Sequence, residues 1–127
     1  MKANDTYRFN RTGHEVRNRS LLAAMTNKQS NEDGTLSLEE INWLTRRSKD
    51  GFGIITTAAS HVSEFGKGWS GEMGVWSDKH LAGLEFLATE LKQGGSINLV
   101  QIFHGGMKAP YSINGILPAC PSEMIDE

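Results

Sequence analysis

Along the chain, apolar positions come in short blocks separated by polar, glycine-rich stretches. Ser20-Leu21-Leu22-Ala23-Ala24-Met25 is the first block, and its length suits a strand better than a helix. Thr26 to Thr35 is turn chemistry, with Asn, Ser and an Asp-Gly pair. Leu38, Ile41, Leu44 and Thr45 then recur at helical spacing. Ser37, with Glu40 three residues on, matches a capping box, in which hydroxyl and carboxylate satisfy orphan amide donors. Arg46, Arg47 and Lys49 fall in the last turns, where cations complement the helix dipole, and Asp50-Gly51 ends the helix. Gly53 to Ala59, rich in β-branched residues, is the second strand. Ser77 as N-cap and Asp78 in the first turn start a second helix. Its apolar stripe is Leu81, Leu84, Leu87 with Ala88, and Leu91, and Gly94-Gly95 stops it. Ser96 to Phe103 reads as a third strand, of the apolar kind that lies buried in a sheet. Met1 to Arg19 is polar, with a short hairpin expected around Gly13, and Met107 to Glu127 reads as loop.

The order is β-α-β-α-β, which implies an α/β fold with a parallel sheet and right-handed crossovers. Connections after strands are long, Thr26 to Leu36 and Ser60 to Trp76, whereas those after helices are short. Long loops at the carboxyl ends of parallel strands are where such folds build sites. A ligand is therefore expected near Met25-Thr26, Ala59 and Gln101. Gln101 shares strand parity with Leu99 and Phe103, while Val100 and Ile102 face the other side. Gln101 is either a satisfied core amide or a ligand contact, and the Gly105-Gly106 pair after His104 either makes a turn or lets a ligand approach.

Composition narrows the partners. A net charge of −2 and a pI of about 6.1 give no electrostatic footprint for nucleic acid or an anionic membrane. The single cysteine, Cys120, cannot form an internal disulfide, and the polar start carries no apolar signal segment. No apolar stretch approaches the roughly 20 residues that span a bilayer. A soluble cytoplasmic protein is expected.

No catalytic constellation stands out. His14, His61, His80 and His104 lack paired metal-ligand spacing. Ser60 and His61 are strand neighbours that point apart, so they make no dyad. Gly66-Lys67-Gly68-Trp69-Ser70-Gly71 matches G-x-G-x-x-G in form, but it does not join a strand directly to a helix, and the dinucleotide reading is rejected. His104 is a ligand contact or a structural residue turning the strand end. What remains is a hydroxyl, an amide and bare backbone at three strand ends, suited to the edge of a planar heterocycle. Such groups move no electrons without a cofactor.

Five ordered stretches carry a family likeness: Asn18 to Thr26, Asn31 to Thr35, Gly53 to Ser60, Trp76 to His80 and Gln101 to Gly106. Together they resemble the amino-terminal part of the old yellow enzyme family, FMN-dependent NADH:flavin oxidoreductases and ene-reductases. The resemblance implies a (β/α)8 TIM barrel holding FMN at its carboxyl mouth, with NADH or NADPH as reductant and an activated alkene or similar electrophile as acceptor. It implies that backbone at Ala24 and Met25 lines the flavin and that Thr26 hydrogen-bonds the carbonyl next to the reactive ring nitrogen. Backbone at Ala59 would approach the same edge, and the Gln101 amide would hold the pyrimidine part. Three positions depart from the pattern: Ala24 stands where many members have proline, Lys28 where some have an aromatic and Met107 where many have arginine.

An eight-stranded barrel typically takes about 250 residues. Residues 1–127 are therefore expected to be the amino-terminal part of a flavin-binding barrel, about its first three strands and two helices. The family's substrate-binding histidine pair, tyrosine proton donor and phosphate grip have no counterpart here, so the chain alone is expected to be inactive or poorly active. Unclosed strands would expose edges and apolar faces, giving a route to a homo-oligomer. Three readings follow: a flavin-binding enzyme portion, a non-enzymatic, self-associating half-barrel without flavin, and an open α/β module for another small molecule.

Overall fold

The polar start folds back on itself around Gly13, whose φ of +71° suits a tight turn. Strand β1 (Tyr7–Arg8) pairs antiparallel with β2 (Glu15–Val16), as the sequence suggests. This is a computed structural model, and it describes residues 2–122.

The remaining strands are β3 (Leu21–Leu22), β4 (Ile54–His61), β5 (Met73–Gly74) and β6 (Ile97–Phe103), all parallel neighbours of β4. β6 runs along β4 from Ile54 to His61, so β3 and β5 must share the opposite edge. β3 pairs at Ile54 and Ile55, and β5 at Ser60 and His61. The first strand is accordingly shorter than the expected Ser20 to Met25. Its seat along the second half of β4 is taken by β5, two residues inside a glycine-rich loop with no periodicity to reveal them.

Helix α1 (Leu38–Lys49) starts at Ser37, whose Oγ accepts a hydrogen bond from the Glu40 amide at 3.1 Å. The reciprocal half of the capping box is not made, because the Glu40 carboxylate is used elsewhere. Helix α2 (Leu81–Gln93) follows a 3-10 turn over Asp78–His80, and the Ser77 side chain makes no capping bond. Leu22 and Ile55 from the sheet, Ile41 and Leu44 from α1, and Leu87 and Leu91 from α2 form the core. Leu81 is exposed, so only the second half of the apolar stripe of α2 is buried. Full burial of such side chains is worth about 1.5–3 kcal/mol each.

β6 is not buried as expected: Leu99, Val100 and Ile102 are 44%, 47% and 72% exposed. Its far edge pairs with no described strand. Past Phe103 come a 3-10 turn (Gly106–Lys108) and the short helix α3 (Tyr111–Asn114), where only loop was expected; the last residues of that stretch, 123–127, lie outside the described part.

At the amino ends of the strands, Arg17 closes the structure. Its guanidinium donates to the carbonyl oxygens of Gly94 (2.7 Å), Phe52 (2.6 Å) and Ser48. Both short helix-to-strand connections are thereby tied to one side chain. Among the described residues no helix is long and apolar enough to cross a membrane.

Candidate functional site

The carboxyl ends of β4 and β6 bring Ala59 and Gln101 together as register partners. Between Thr56 and Ala59 the register shifts: three residues of β4 advance while β6 advances two, from Leu99 to Gln101. Such bulges re-aim side chains near sites. Thr57 sits in this bulge, where its Oγ1 accepts from the Gln101 amide at 3.3 Å and donates to the Ala58 carbonyl at 2.8 Å. Ser60 Oγ donates to the same carbonyl at 3.0 Å, so the irregular backbone is satisfied internally.

By parity Gln101 faces the same side as Ile97 and Leu99, away from both helices. Ile54, Ile97 and Leu99 line an open apolar hollow of about 340 Å³ on that side, with Phe9 and His14 of the hairpin also in its wall. Ala59 is buried, whereas Gln101 is exposed and its carboxamide has no partner among the described residues.

Ala24, Met25 and Thr26 continue from β3 toward the same end of the sheet, as irregular chain outside the ladder. Ala24 is half-buried, and Met25 and Thr26 are exposed. No hydrogen bond joins them directly to Ala59 or Gln101 among the described residues. The turn that follows is firmly held. Asn27 Nδ2 donates to Glu40 Oε1 at 3.1 Å, and Ser30 Oγ donates to Glu40 Oε2. The Ser30 amide donates to the Gly71 carbonyl at 3.1 Å, and Lys28 between them takes a φ of +54°. Glu40, expected as the carboxylate of a capping box, is instead fully buried against this turn.

The glycine-rich Gly66 to Gly71 stretch lies between a 3-10 turn and β5, with no helix after it, so its glycines serve packing. A Cβ on Gly66 would come within 2.5 Å of the His104 ring. His104 Nδ1 accepts from the Gly106 amide at 2.9 Å, which makes it the residue that turns the strand end.

Sequence reasoning missed a buried group beside this mouth. His61 and His80 are 2% and 3% exposed, with ring centroids 6.5 Å apart. Burial, helped by the charges of Lys67 and His80, pushes the His61 pKa down to about 4. Burial and the Lys79 charge also lower that of His80, against the pull of Asp33. Glu72 is shifted up by burial, although its carboxylate accepts from the Gly68 amide at 2.6 Å. A cleft of about 200 Å³ lies alongside, with His61, Lys67 and Trp76 in its wall. Isolated histidines in a sequence carry no spacing signal, so only the fold brings these two together. Among the described residues no group of three or more His, Cys, Asp or Glu is placed to hold a metal.

A parallel sheet backed by helices, with long loops at one end and short ones at the other, is the construction of a (β/α)8 barrel, of which these strands form part. Comparison with known proteins agrees. Residues 11–127 match the model of the NADH:flavin oxidoreductase / NADH oxidase family, and the chain belongs to that family. A probable NADH-dependent flavin oxidoreductase, YqiG of Bacillus subtilis (strain 168), is 34% identical over 92% of this chain and 28% of its own length. The old yellow enzyme homologue from Zymomonas mobilis superposes with a TM-score of 0.85 at 23% identity, over 96% of this chain and 33% of that one. A 2-naphthoyl-CoA reductase superposes with a TM-score of 0.82 at 30% identity, over 90% of this chain and 17% of that one. The chain thus spans a third or less of the length of each of these. The family's cofactors are FMN and NADH or NADPH, and its members bind small-molecule substrates.

Proposed function

We propose that residues 1–127 form the amino-terminal part of a flavin-binding barrel domain in an NAD(P)H-dependent oxidoreductase. The observation that carries this reading is the pairing of a buried small residue, Ala59, with the unpartnered carboxamide of Gln101 at the carboxyl end of the sheet. A carboxamide donates and accepts at once, which suits the imide edge of a flavin pyrimidine ring. The small side chain of Ala59 would let a flat ring come close to the strand end. Ala24 and Met25 would contribute backbone, and the Thr26 hydroxyl would donate to a flavin carbonyl. The chemistry that FMN supplies when bound is hydride transfer from NADH or NADPH to an activated alkene or similar electrophile. The residues of this chain bind and orient; the family's acceptor-binding groups have no counterpart among them, so poor or absent activity is expected of the chain alone.

The test is titration of the purified protein with FMN, followed by flavin fluorescence and absorbance after desalting. Retained, quenched flavin is the expected outcome, and Gln101→Ala should weaken binding on the order of tenfold, the loss of a hydrogen bond or two. Absence of retained flavin removes flavin binding by this chain alone. It would leave the self-associating half-barrel, which the exposed Leu99, Val100 and Ile102 favour.

A further inference from the structure

Glu40 is placed in a way that neither helix α1 nor the core requires. It stands in the first turn of α1, where the dipole favours a carboxylate and the Ser37 amide is the usual partner. Its side chain turns instead toward the loop after β3, at 0% exposure. Both oxygens are occupied there, by Asn27 Nδ2 and Ser30 Oγ. Burying a carboxylate carries a desolvation cost that an apolar residue in the same place would avoid. What the carboxylate adds is fixity of the loop.

The loop itself shows that it is over-determined. Lys28 adopts a left-handed φ of +54°, which costs energy for any residue but glycine, asparagine or aspartate. Gly71, with a φ of +74°, backs it so closely that an added Cβ would lie 2.5 Å from the Lys28 carbonyl oxygen, and it accepts from the Ser30 amide. Asn27 Oδ1 accepts from the Gln29 amide at 3.2 Å, completing the turn. Met25 and Thr26, immediately before it, have no ladder partners of their own.

The geometry points to Glu40 as a positioning residue for the flavin. Its carboxylate anchors the Asn27–Ser30 turn to α1 and so sets where the Met25 backbone and the Thr26 hydroxyl stand relative to Ala59 and Gln101. This inference rests on the flavin reading above. Residues that orient a ligand's direct contacts typically change affinity or activity by tenfold or more when removed.

The experiment compares the parent protein with Glu40→Leu, Glu40→Gln and Ser30→Ala by FMN titration, bound-flavin absorbance and amide hydrogen exchange over residues 26–30. The parent should retain FMN, Glu40→Leu should bind about tenfold more weakly with a shifted flavin spectrum, and Glu40→Gln should restore most of the affinity. Glutamine keeps an acceptor for Asn27 and offers its amide to the Ser30 hydroxyl. Ser30→Ala leaves α1 untouched and should weaken FMN by about threefold while speeding exchange across the turn, which keeps the test decisive if Glu40→Leu does not fold. A parent that binds FMN while Ser30→Ala, and Glu40→Leu if it folds, show its affinity, spectrum and exchange unchanged overturns the role of Glu40 alone. So does a Glu40→Gln protein as weak as Glu40→Leu. A parent that holds no FMN overturns the flavin reading and this inference with it.

Discussion

His61 gives the molecule a built-in acid sensitivity. The unfolded chain takes up its imidazole proton near pH 6.5, the folded chain only near 4. Between those values the unfolded state binds more protons, so stability is complete above pH 6.5 and is lost as pH falls toward 4. His80 acts in the same direction, whereas Glu72, shifted up, stabilises in acid and loses that contribution as pH rises past 4.5. Urea unfolding should show a loss of up to about 3 kcal/mol for His61 between pH 7 and 4, and His61→Gln should flatten the profile. Gly71→Ala forces a Cβ onto the Lys28 carbonyl at a φ of +74° and should lower stability by about 1–3 kcal/mol in thermal melts. Individual residues were legible where their signal is local. The Ser37 N-cap and the parity of Gln101 could be read directly from neighbours in the chain. The Glu40 carboxylate could not, because its partners lie in a loop ten and more residues earlier and the capping-box pattern points elsewhere.

The elements divide in the same way. α1 is legible because stripe, cap and stop agree with one another, whereas α2 is legible from its stripe and stop alone, since Ser77 makes no capping bond. β3 and β5 were misjudged because two-residue strands carry no period, and their extent is decided by competition for one edge of β4. Arg17 is another such case: nothing in the polar start marks it, yet it joins the α1–β4 and α2–β6 connections through three backbone carbonyls. Arg17→Met would leave those carbonyls without a donor. It should destabilise the fold by roughly 2–4 kcal/mol in denaturant titration, with partial recovery in Arg17→Lys.

For the whole molecule, the most exposed part of the sheet is β6. Leu99, Val100 and Ile102 stand exposed along an edge that no described strand covers, although the sequence reads as a buried strand. The apolar pattern was written for neighbours that these residues alone do not supply. We propose that this edge drives self-association of the isolated chain. Light scattering should show oligomers that shrink in Ile102→Lys, with circular dichroism unchanged, since a lysine on an edge strand blocks pairing. The divided flank of β4 has a consequence for loop length. Deleting residues from 62–72 so that Met73 no longer reaches Ser60 would vacate half of that flank. The chain beyond Leu22 would then zip onward along β4, and the amides of Met25 and Thr26 would be consumed by strand carbonyls. On the flavin reading proposed above, a trim in that loop would thus occupy backbone proposed to line the flavin.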